Sequence, residues 1–74
     1  MILNLELDNT RMLVTESIHG SEWATINHNS EFYYSVVFTE SGAVFDDYTV
    51  IDVLEDCPEA IDILEQHGYK VAGL

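Results

Sequence analysis

The stretch Glu31-Phe-Tyr-Tyr-Ser-Val-Val-Phe-Thr39 decides the architecture. Phe32, Tyr34, Val36 and Phe38 form one face at period two, and Tyr33, Ser35, Val37 and Thr39 form the other. β-Branched and aromatic residues favour a pleated, buried surface. Both faces are apolar enough to place this strand inside a sheet, not at its edge. Upstream, Leu3, Leu5 and Leu7 alternate with Asn4, Glu6 and Asp8, as a half-buried strand does. Asp8-Asn9-Thr10 is turn material, so Met12 to Ile18 reads as the second arm of a hairpin. His19-Gly20-Ser21 turns the chain into a third strand over Trp23 to His28, which Asn27 to Ser30 closes. Beyond Thr39, Ser41-Gly42 leads into a short strand at Ala43 to Phe45.

After Phe45 the pattern becomes helical and densely acidic. Thr49 is a good N-cap for a helix over Val50 to Asp56, because its hydroxyl accepts an otherwise unpaired backbone N–H. Asp46 and Asp47 precede that N-terminus, where the helix dipole favours them. Pro58 stops the first helix and opens a second, being tolerated at the first helical position. The second helix runs to about His67, Gly68 supplies its left-handed C-terminal cap, and residues 69–72 offer a last short strand. Val50, Ile51, Val53 and Leu54 share one side of the first helix, and Ala60, Ile61, Ile63 and Leu64 one side of the second. The expected fold is α+β: one domain over residues 1–74, with a small antiparallel β-meander of four to five strands over 1–45. A two-helix hairpin over 49–67 packs on one face. The expected core joins Leu5, Tyr34, Val36 and Phe38 to Val53, Leu54, Ile61 and Leu64.

The segment from Thr49 to Tyr69 resembles the small helical domain associated with hybrid-cluster proteins, which also precedes iron–sulfur cluster repair proteins. The matching positions are Thr49, Val53, Leu54, Pro58, Glu59, Ala60, Ile63, Leu64, Gly68 and Tyr69, about a third of the chain. That family continues into a Cys-x-Gly-Cys ending, where this chain has Val71, Ala72, Gly73 and Leu74. The family's redox or metal chemistry therefore does not carry over. The resemblance implies a helical hairpin and an interaction role.

The chain has 74 residues, 47% hydrophobic and 11% aromatic, a composition that folds but buries only a small core. Cys57 is the single cysteine, so no intrachain disulfide exists. Met1 to Leu7 lacks the basic and apolar regions of an export signal, and a reducing cytoplasm is the expected location. Fourteen acids face two bases, Arg11 and Lys70, for a net charge of -12. Small soluble domains need a magnitude of only about 2–8. The excess steers the chain away from nucleic acid and anionic membranes and toward basic surfaces.

No motif marks an enzyme, and no catalytic residues are assigned. His19, His28, Cys57 and His67 lack the close spacing of zinc-ligand motifs, and the acids around Asp46 to Asp56 lack a calcium-binding loop. No metal or other cofactor is therefore expected. Cys57 is flanked by Glu55, Asp56 and Glu59, which oppose a thiolate, so it reads as a structural thiol. Of Trp23, Phe32, Tyr33 and Tyr34, Tyr33 is the aromatic expected to be exposed at an interface.

Eight of the acids lie between Asp46 and Glu65, with no lysine or arginine among them. Asp52, Glu55, Asp56, Glu59, Asp62 and Glu65 form the expected acidic face. Residues three or four apart on a helix lie about 5–6 Å from one another, while duplex DNA presents a phosphate about every 3.4 Å per strand. Such a row partly imitates a phosphate track. The expectation is a non-enzymatic binding protein, of the kind found among phage and mobile-element inhibitors, that occupies the basic, nucleic-acid-binding surface of a protein partner. The alternative is a homodimer or adaptor that uses an apolar sheet face. Self-repulsion at this net charge gives a first prediction. Between about 0.01 M and 0.15 M salt the screening length falls from about 30 to 8 Å, so Tm should rise by at least about 4 °C, roughly 1 kcal/mol at this size. A thermal melt series that stays flat or declines would show that the charges are already accommodated.

Overall fold

The computed structural model describes residues 2–16 and 22–74. The expected turn at His19-Gly20-Ser21 and the end of the second strand lie outside the described residues. Five strands, β1 (Ile2–Leu7), β2 (Thr10–Glu16), β3 (Glu22–His28), β4 (Phe32–Thr39) and β5 (Gly42–Phe45), precede two helices, α1 (Val50–Asp56) and α2 (Pro58–Gln66). The strands form one antiparallel sheet in the order β1-β2-β3-β4-β5. This is the expected meander, with β4 in the interior of the sheet.

Register puts the apolar residues in rows. Leu3, Val14, Ala24, Val36 and Phe45 are successive cross-strand partners, as are Leu5, Met12, Ile26 and Tyr34. The covered face holds Met12, Val14, Ala24, Ile26, Tyr34, Val36, Ala43 and Phe45, all buried, with Leu5, Leu7 and Phe38 partly so. The side chain of Phe32, expected on this face, lies outside the described residues. α2 crosses β1, β2 and β3 and buries Ala60, Ile61, Ile63 and Leu64.

The helix ends follow local chemistry. Thr49 caps α1 by accepting from Asp52 N–H, and the Asp52 carboxylate returns to Thr49 N–H, completing a capping box. α2 ends in a Schellman arrangement in which Tyr69 N–H donates to Leu64 C=O and Gly68 N–H to Glu65 C=O, at 2.9 and 3.1 Å. Gly68 has the left-handed φ of 86° that this requires.

Two expectations need correction. In α1 only Val53 is buried, while Ile51 and Leu54 are 64% and 43% exposed. The apolar residues of α1 span about 160° of the helix at 100° per residue. α1 rests chiefly against α2 and not on the sheet, so it can bury only the Val50–Val53 stripe. The expected strand over 69–72 is reduced to a single parallel bridge between Ala43 and Val71. There, Ala43 N–H donates to Lys70 C=O at 2.7 Å and Ala72 N–H to Ala43 C=O at 3.0 Å, covering the β5 edge.

That covering depends on Gly42. Its φ is 118°, and a Cβ there would lie 2.7 Å from the Lys70 carbonyl oxygen. A Cβ at Gly68 meets nothing within 4 Å. Gly68→Ala should therefore cost only the left-handed backbone penalty of about 1–2 kcal/mol. Gly42→Ala should cost more, because it also expels the tail from the sheet edge. Urea unfolding of both variants tests this ordering, and equal losses would mean that the tail contributes nothing.

Candidate functional site

The acidic residues concentrate on the helical layer. Asp46, Asp47, Asp52, Glu55, Asp56, Asp62 and Glu65 are all exposed. Glu59 differs from the expected row: it is only half-exposed and reaches the sheet below, its Oε1 4.0 Å from His28 Nε2. Asp52 is partly committed to the cap of α1, since it also accepts from the Thr49 hydroxyl at 2.9 Å. The open acidic face is thus Glu55, Asp56, Asp62 and Glu65, with Asp46 and Asp47 beside it. Tyr48, Ile51 and Leu54 stand exposed among these acids. Sequence periodicity alone assigned Ile51 and Leu54 to the core, and so missed that α1 exposes both of them.

The opposite face of the sheet carries a second apolar set. Trp23, Val37 and Val44 are successive cross-strand partners, and all three are exposed, Trp23 by 49%. Tyr33, as expected, is exposed, by 70%, the most of the aromatics among the described residues. The charges described on this face are Glu6 and Arg11, directly opposed across β1 and β2 and joined at 3.1 Å. So exposed a pair contributes little, about 0–1 kcal/mol, but it leaves this face close to neutral.

A third grouping lies at the junction of the helices. Pro58 has no N–H to continue α1, so Cys57 both ends that helix, donating to Val53 C=O at 2.8 Å, and begins α2. This buries the thiol completely. Burial pushes the Cys57 thiol up, Glu59 opposes ionisation further, and the Ala60 and Glu59 backbone N–H groups only partly offset both. Opposite it, His28 ends β3. Its Nδ1 lies 2.8 Å from Thr10 Oγ1, and Asn29 Nδ2 lies 3.1 Å from its Nε2. Thr10 is its cross-strand partner and is the buried polar residue among those described. Tyr34 stands close by, its phenol pushed up by burial and then by Cys57 and Asp56.

One ligand-type atom from each of His28, Cys57 and Glu59 lies within 4.8 Å of the other two. Sequence spacing could not reveal this, because the histidine comes from the sheet and the other two from a helix junction. His67 is exposed at the end of α2 and is not part of this grouping, and His19 lies outside the described residues. Among the described residues no helix is long and apolar enough to cross a membrane. Searches against family models, curated proteins and solved structures return no match to the chain.

The two raised groups set an alkaline limit. Toward neutral pH, Cys57 and Tyr34 are protonated in both states and their contribution is intact. Above the ordinary thiol value of 9.0, and again above the ordinary phenol value of 10.0, the unfolded chain loses protons that the folded chain retains. Stability therefore falls as pH rises through this range. The urea midpoint should drop between about pH 8 and 10.5, less steeply in Cys57→Ser and Tyr34→Phe. An identical pH slope in all three proteins would contradict the assignment.

Proposed function

We propose that the protein is a non-enzymatic binding module whose acidic helical layer docks on a basic surface of a protein partner. One observation carries this reading: Ile51 and Leu54 on α1, and Tyr48 just before it, are exposed within a field of exposed acids. Interfaces concentrate their energy in a few apolar or aromatic anchors enclosed by a polar rim. The acidic rim would guide encounter with a basic target, and the three apolar side chains would supply contacts that salt does not screen. The narrower form of the proposal is an inhibitor of the phage or mobile-element type that occupies a nucleic-acid-binding surface. The resemblance of residues 49–69 to an interaction hairpin accords with this role, and the single buried thiol suits a reducing cytoplasm.

A second reading rests on the Trp23, Val37 and Val44 row, whose near-neutral surroundings suit self-association or seating on a larger protein. The two readings differ in their response to salt. A tagged chain would be used to capture partners from native host lysate, with elution by rising salt. A basic partner released at moderate salt supports the first reading, and its binding should weaken at least about tenfold when Glu55, Asp62 and Glu65 are replaced by lysine. Ile51→Ala with Leu54→Ala should weaken the same complex without changing its salt slope. Binding indifferent to the charge reversal would reject the acidic face. Loss through Trp23→Ala instead would favour the sheet.

A further inference from the structure

We propose that His28, Cys57 and Glu59 form a binding site for one zinc-class divalent ion that ties the helical layer to the sheet. The donor set is an imidazole nitrogen, a thiol sulfur and a carboxylate oxygen, the combination zinc takes and calcium or magnesium does not. The three atoms lie within 4.8 Å of one another. In a tetrahedral complex with metal–ligand bonds of about 2.0–2.3 Å, donors lie about 3.3–3.6 Å apart. Side-chain movements of about an ångström therefore close the site around an ion.

Thr10 holds the histidine ring from the sheet. His28 Nδ1 lies 2.8 Å from Thr10 Oγ1; with the ring proton on that nitrogen and donated to the hydroxyl, Nε2 is the ligating atom, and the exposed Asn29 amide 3.1 Å from it turns away to free its lone pair. Metal-bound histidines are held in the same way, by a fixed partner on the nitrogen that does not ligate. Thr10 is thus a positioning residue, and its burial keeps the ring in place. His28 Nε2 and Glu59 Oε1 stand 4.0 Å apart, too far for a direct hydrogen bond. An ion placed between them takes both as ligands. Cys57 closes the inner side, whereas the His28 and Glu59 side chains are 16% and 46% exposed, leaving the outer side open to solvent. A water molecule would complete four-coordination there. On binding, Cys57 releases its proton to solvent, so that thiolate and carboxylate together neutralise the ion. The ligands come from β3 and from the α1–α2 junction, so the ion would restrain the two layers of a small domain that has no disulfide.

Cobalt(II) is the probe, because a thiolate ligand produces a charge-transfer band in the near ultraviolet and tetrahedral geometry strong visible bands. The reduced full chain should show both, saturating at one ion per chain and bleaching when zinc is added. Cys57→Ser should abolish the charge-transfer band, and His28→Gln and Glu59→Gln should each weaken binding by more than about tenfold. Asp62→Asn with Glu65→Gln, on the open acidic face, should change neither band nor affinity. Zinc should raise the Tm of the parent chain and not that of Glu59→Gln, a readout available even where Cys57→Ser is destabilised. Cobalt that binds without a charge-transfer band and is displaced by moderate salt would overturn the site and leave only screening by surface acids. Titrations identical in the parent chain and Glu59→Gln would overturn it equally.

Discussion

Burial of one side of α2 on one side of the sheet is the constraint on which the rest of the molecule depends. A chain of 74 residues with a single cysteine has no covalent staple, so Ala60, Ile61, Ile63 and Leu64 must find their partners among Met12, Val14, Ile26 and Val36. Each large apolar side chain fully withdrawn from water contributes about 1.5–3 kcal/mol. A net charge of -12 opposes compaction throughout. The core can hold because the acids of α2 lie on the side away from it, apart from Glu59 at its first turn.

The placement of α2 decides the fate of α1. Once α2 covers β1 to β3, α1 can only lean against its side. Val53 reaches the core, and Ile51 and Leu54 do not. The same placement drives Cys57 inward, because the residue that joins two short helices lies where both meet the sheet. Pro58 makes this joint sharp by withholding the N–H that would have continued α1. An apolar strip in an acidic field and a buried thiol beside a histidine are thus two results of one packing decision.

The surface has three unlike regions as a consequence. The helical layer is acidic with exposed apolar residues, the uncovered sheet face carries an apolar row and few charges, and His28 of β3 meets Cys57 and Glu59 at the helix junction. Only the first can use long-range attraction to find a basic partner. The uncovered sheet face would act through contact alone. At the junction, contact with the buried Thr10 hydroxyl holds the His28 ring with its Nε2 4.0 Å from the Glu59 carboxylate.

Elements governed by neighbours in the chain could be read without a structure. Thr49, Pro58 and Gly68 mark helix boundaries through capping, the missing proline N–H and left-handed backbone, all local effects. The period-two pattern of β4 and the Asp8-Asn9 turn are local in the same sense, which is why the meander and the helical hairpin were legible together. Periodicity states which residues share a side and not whether anything covers that side. Ile51 and Leu54 were therefore misplaced, although Val53 and the α2 residues were not. The tail at residues 69–72 reads as extended, but its partner at β5 and its reduction to a single bridge depend on backbone groups distant in sequence. By itself the sequence determined the order and ends of the elements and the sign of the charge, because these depend on interactions within a few residues. Tertiary structure alone decided which apolar residues stay exposed and that His28 meets Cys57 and Glu59, because both depend on where α2 comes to rest on the sheet.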